Sequence, residues 1–127
     1  MHNSAHLHVR SRAFALTVVV HKAALRESVR FGRRAPGTKS QLLRAVASIS
    51  SNIVEGADQR TNAQFAEFLS HAIASASETE HHLELALELD LLVHEGPRFI
   101  AEVREIRKML HGLRKRVLRD AERASRH

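Results

Sequence analysis

Ser51, Asn52 and Glu55 stand within an apolar helical run, Ser51-Asn52-Ile53-Val54-Glu55-Gly56, with Phe65, Phe68, Leu69 and Glu78 downstream. Polar groups drawn into a helical core must be hydrogen-bonded or paired, because each orphan costs about 1–3 kcal/mol. Asn52 could bridge to Ser75 or Glu78, and Glu55 could pair with Arg60 or with an arginine of another helix. We read Asn52, Glu55 and Glu78 as a structural polar network; a ligand site is the alternative. Carboxylates with no nucleophile or metal set beside them do not make an acid–base pair.

Ten histidines raise metal binding. His71, Glu78 and His82 fall at i, i+7 and i+11, on one helical face. Glu78-Thr79-Glu80-His81 contains one Glu-x-x-His pair, a common metal nucleus, but no second pair occurs. The preferred reading is a solvated or intersubunit polar stripe with no metal. Histidine protonation below about pH 6.5 could still tune assembly.

Basic residues offer the stronger chemistry. On a helix centred on Ile106, Leu110, Leu113 and Val117, the cations Arg104, Lys108, Lys115, Arg119 and Arg126 lie within about 60° of one another, opposite the apolar stripe. Such a line can follow a phosphate backbone. An ordinary solvated face, or one neutralised by a neighbouring helix, is the competing reading. Arg33, Arg34, Lys39 and Arg44 form a second cluster, with arginines suited to bidentate phosphate contact.

The chain has 127 residues, enough for one domain with a real core. Its net charge of +6 is segregated. Residues 1–60 hold ten Lys/Arg and three acids, residues 61–95 no Lys/Arg and seven acids, residues 96–127 ten and four. Basicity points to anionic partners, while the acidic middle could pair with its own neighbours. With no cysteine, there is neither a disulfide framework nor thiolate chemistry. No glycine-rich phosphate loop or motif-defined nucleophile is present, so no enzyme and no cofactor are expected. Five Phe, with no Tyr or Trp, argue against a base-stacking sheet. The absence of a signal-peptide pattern or membrane-length apolar run leads to a cytoplasmic expectation, of bacterial type.

These residues must be positioned by helices. Glycine and proline punctuation predicts four, over about 6–31, 39–55, 62–93 and 97–124, with a frayed tail. Thr38 with Gln41, and Thr61 with Gln64, fit capping boxes, and Gly56 fits a helix-ending position. Leu83-Glu84-Leu85-Ala86-Leu87-Glu88-Leu89 alternates like a strand, but its residues are strong helix formers, so helix is expected. Leu83, Leu87 and Leu91 then lie on one side and Leu85, Leu89 and Leu92 on the other. We favour subunit contact for the second set. A single wide stripe covered by neighbouring helices is the alternative.

The run from Gln41 to Gly56 with its Ser-Asn-Ile-x-Glu-Gly motif, Phe65-Ala66-Glu67-Phe68-Leu69, the small-residue segment from Ala72 to Ser77, Glu78 and Glu80, and Ile106 to Leu113 together resemble a known family. It is the four-helix-bundle family of 23S ribosomal RNA intervening-sequence proteins, which includes the accessory variability protein of diversity-generating retroelements. The resemblance covers about residues 13–118. It implies an all-α, antiparallel up-down four-helix bundle, a homopentameric barrel and no catalysis. In retroelement members it implies binding of nucleic acid and a reverse transcriptase through basic surface. Arg33-Arg34-Ala35-Pro36-Gly37 stands where members commonly carry an aromatic, proline-containing linker, and Ala74-Ser75-Ala76 where an Arg-Gly-Ser triplet is common. The expectation is therefore a nonenzymatic oligomeric protein that binds RNA or DNA through its basic faces. A protein-assembly scaffold without nucleic-acid binding is the rival.

Overall fold

A computed structural model of the chain describes residues 4–126. Among them are five helices and no strand: α1 (His6–Arg26), α2 (Ser28–Arg34), α3 (Thr38–Ala57), α4 (Asn62–Glu88) and α5 (Gly96–Ser125). The alternating Leu/Glu segment is helical through Glu88, as its residue types require.

Side-chain pairs fix the helix directions. Arg12 of α1 meets Glu102 and Met109 of α5, whereas Arg26 meets Glu95, so ascent along α1 is descent along α5. Ser70 meets Arg114 and Glu80 meets Arg104, so α4 and α5 are antiparallel as well. Ser48 meets Ser75, while Gly56 lies against Phe65 and Phe68, which reverses α3 against α4. Packing runs α1–α3–α4–α5 and back to α1, placing α1 and α4 at diagonal corners.

The periodic apolar residues close the core. Val20, Leu42, Ile49, Ile53, Leu69, Leu83, Ile106 and Leu110 are fully buried. Truncating any of these leucines or isoleucines to alanine would cost about 2–5 kcal/mol. Thr17 bonds across helices, donating its hydroxyl hydrogen toward Ala13 O at 2.8 Å and Val46 O at 3.1 Å.

Several helix ends differ from the sequence expectation. The first predicted helix breaks at Glu27, whose backbone (φ −107°, ψ 22°) leaves the helix. Its carboxylate accepts the Leu92 N–H at 3.0 Å and pairs with Arg30. The third predicted helix ends at Glu88 rather than about Val93. A Schellman motif stops it: Leu91 N–H bonds Ala86 O at 2.8 Å and Asp90 N–H bonds Leu87 O at 3.0 Å. Asp90 (φ 61°) occupies the left-handed position that glycine usually fills. The turn drives Leu91 and Leu92 into the core.

The Thr61 capping box forms, with reciprocal bonds of 3.1 and 3.3 Å to Gln64. The Thr38 box does not, because Gly37 (φ 88°) takes the cap position and Thr38 becomes the first helical residue. Gly56 is no helix-ending residue either. It lies buried inside α3, where a Cβ would stand 2.8 Å from Phe68 Cβ and 2.9 Å from Phe65 Cδ1. Glycine here permits close approach of α3 to α4.

Candidate functional site

The line of cations on α5 divides in two. In its first half, Arg104 Nε donates to Glu80 at 2.6 Å and its guanidinium also approaches Glu84 at 3.5 Å. Arg107 reaches the other Glu80 oxygen at 2.6 Å and donates to Ser77. Burial by itself would raise the Glu80 pKa. Hydrogen bonds from Arg104 and Arg107 outweigh it, and the carboxyl titrates below its ordinary range. The same bond to Glu80 raises the Arg104 pKa. Lys108 has only a loose approach to Glu105, at 4.0 Å.

In the second half of α5 the neighbour changes. Antiparallel packing sets this stretch against the start of α4, where Arg114 donates to the Ser70 hydroxyl at 2.7 Å. Among the described residues, Lys115, Arg116, Arg119 and Arg123 are exposed and have no carboxylate partner. Arg126 pairs with Glu122 at 3.8 Å. Of the predicted cations, Arg104 is therefore committed internally while Lys115 and Arg119 present open charge. Arg116 and Arg123, which sequence reasoning did not select, lie on the same exposed stretch.

The second predicted basic cluster is dispersed. Arg34 donates to Leu89 O at 3.2 Å and approaches Asp90, clasping the α4–α5 loop. Lys39 donates to Ser28 Oγ at 2.6 Å. Arg33 is exposed, and Arg44 faces a groove between α3 and α4.

That groove is lined by the first half of the signature segment and by its neighbours on α4. Gln41, Arg44, Ser48, Ser75, Glu78 and His82 line a cavity of about 200 Å³. Asn52 Nδ2 donates to Ser48 O at 2.8 Å and Ser48 Oγ at 2.9 Å, and the Ser48 and Ser75 hydroxyls lie 2.7 Å apart. Asn52 thus reaches α4 through Ser48, a residue that the sequence reading did not place in the network. Glu55 and Glu78 stay outside it: both are exposed, and neither carboxylate makes a hydrogen bond or salt bridge among the described residues, although Glu78 acts electrostatically on His82. At these positions the helix faces point outward, so the carboxylates are solvated rather than buried. His82 Nδ1 is buried with no hydrogen-bond partner. Burial and then the neighbouring His81 hold its pKa below the ordinary value, against the opposing pull of Glu78.

Among the described residues, no group of three or more His, Cys, Asp or Glu could hold a metal ion, and no helix is long and apolar enough to cross a membrane. The predicted oligomer-contact set also separates. Leu85 is exposed, Leu89 packs partly against the core, and Leu92 is fully buried within its own chain, because the left-handed turn swings it inward. An exposed apolar stripe lies instead on α1. Leu7, Phe14 and Leu25 are 46%, 63% and 63% exposed, and Val18 lies in the same row. Spacings of seven, four and seven were legible in the sequence as a second helical face, beside the buried series Val9, Leu16 and Val20.

Comparison with known proteins agrees with this architecture. Residues 5–112 match the model of the 23S rRNA-intervening sequence protein family. No curated protein matches the chain. A crystal structure of a protein of unknown function from the S23 ribosomal protein family of Bacteroides thetaiotaomicron superposes with a TM-score of 0.75 at 24% identity. The match covers 87% of this chain and 98% of that one. At that identity the likeness concerns the fold; the match over residues 5–112 carries the membership, and the chain belongs to the 23S rRNA-intervening sequence protein family.

Proposed function

We propose that the protein is a nonenzymatic accessory factor that self-associates and binds RNA or DNA through the C-terminal half of α5. The observation that carries this reading is the row of exposed cations at Lys115, Arg116, Arg119 and Arg123, which no carboxylate of the described residues neutralises. Lysine and arginine along one helix neutralise successive phosphates and release counterions, giving affinity with little sequence preference. Repetition of the row around an oligomer, a ring of five in the family resemblance, would multiply it by avidity. A reverse-transcriptase partner would belong to the same assembly.

Binding of nuclease-treated protein to labelled structured RNA and duplex DNA across a salt series tests the reading. Affinity falling steeply with salt is the expected result. No binding at low salt by the intact oligomer would overturn it and favour a scaffold that binds protein alone. The exposed carboxylates Glu55, Glu67 and Glu78, on the side of the bundle away from the α5 cations, give that second reading its support.

A further inference from the structure

The bundle leaves two unlike surfaces without a partner. The first is the outer face of α1. No acid occurs anywhere between His6 and Arg26, and the apolar stripe through Phe14 is flanked by the exposed cations Arg10 and Lys22. The second is the polar groove between α3 and α4. Glu78 and the opposing charge Arg44 line it, and Glu67 of α4 and Glu55 of α3 are exposed farther along the same helix faces. Phe68 is half-buried on the same side, and Leu85 is exposed farther along α4.

From these surfaces we infer that α1 of one copy lies along the α3–α4 groove of the next. This rests on the self-association in the reading above and specifies its interface. Three observations support it. The charges are complementary, a purely basic helix against a rim dominated by carboxylates. Their spacing also agrees: Arg10 and Lys22 are twelve residues apart and Glu67 and Glu78 eleven, about 18 and 16 Å along their helices. The groove is also unfinished in one copy, with His82 Nδ1 enclosed but unbonded and the carboxylates of Glu55 and Glu67 exposed without an ion pair.

Diagonal placement of α1 and α4 prevents a copy from filling its own groove. Because the two surfaces differ, the contact is head-to-tail, the kind that generates rings. The signature segment would then serve twice, its Ile49, Ile53 and Gly56 in the monomer core and its Arg44 and Ser48 toward the subunit interface.

The chain contains no cysteine, so introduced thiols report cleanly. Phe14 and His71 are exposed near the centres of the two surfaces, which makes the pairing independent of helix direction. Phe14→Cys and His71→Cys are prepared as separate full-length variants, mixed and mildly oxidised. A 14–71 disulfide between copies is expected. An oligomer that yields only 14–14 links, or no link, overturns the interface while leaving self-association standing. Separately, Arg10→Glu with Lys22→Glu should raise the oligomer's dissociation constant at least about tenfold in sedimentation equilibrium. Adding Glu67→Arg with Glu78→Arg should restore it. An oligomer unaffected by the first pair of changes overturns the inference, and wild-type protein monomeric at every concentration overturns self-association with it.

Discussion

The two halves of α5 carry similar rows of cations, and the structure treats them oppositely. Arg104 and Arg107 lie beside Glu80 and Glu84 of α4, and their charge is spent on the α4–α5 seam. One half-helix later, the segment of α4 alongside offers Arg114 a serine hydroxyl. Lys115, Arg116, Arg119 and Arg123 keep their charge exposed. Formal charge is a property of sequence, but available charge is a property of register. Solvent-exposed pairs contribute only about 0–1 kcal/mol, so the seam's importance lies as much in which cations it withdraws from the surface as in stability.

The comparison breaks most sharply if the open half is reversed. Changing Lys115, Arg116, Arg119 and Arg123 together to Glu should lower RNA affinity by about 100-fold at low salt and flatten the salt slope. The thermal transition should move little, because none of the four has an acidic partner to lose. Unchanged affinity in the folded variant would remove α5 from the interface.

Acting on the closed half should change stability instead. Glu80→Gln removes the shared acceptor of Arg104 and Arg107, with an expected loss of about 1–2 kcal/mol at neutral pH in denaturant titration. The sign of the pH dependence follows from the lowered folded pKa. The contribution is present above the ordinary carboxyl value of 4.5 and is lost as pH falls through the lower folded value. Wild type and Glu80→Gln should therefore converge in acid, and a constant gap down to pH 2 would contradict the seam.

A smaller effect is expected from moving the seam. Ser70→Glu places a carboxylate opposite Arg114 and should weaken RNA binding about threefold while leaving the fold intact. The smallest change is expected for Arg104→Ala, whose RNA affinity should stay within about twofold of wild type in the labelled-RNA binding measurement. A tenfold loss there would show that the seam cation also reaches ligand.

The legibility of the chain follows the same division between local and tertiary causes. The capping box at Thr61, the proline opening α5 and the periodic apolar residues of four long helices act within a few turns, and were legible. The Schellman turn at Asp90 was missed because an aspartate occupies the position where glycine is the usual signal. Gly56 was misread for the converse reason: its glycine answers a contact from α4, not a helix end. Among polar residues of the motif, Asn52 stands out in an apolar run, whereas Ser48, its link to Ser75, carries no distinguishing pattern in a serine-rich segment.

Sequence by itself determined the helical periods, the segregation of charge and the family signature, since each depends on residue type and spacing along the chain. Tertiary structure decided which cations stay open, that Leu92 is buried, that Glu55 and Glu78 face outward, and that α1 keeps an exposed apolar stripe. Those outcomes depend on which side chain from a distant segment arrives opposite each position. Antiparallel register and the sharp turns at Glu27 and Asp90 set that arrangement.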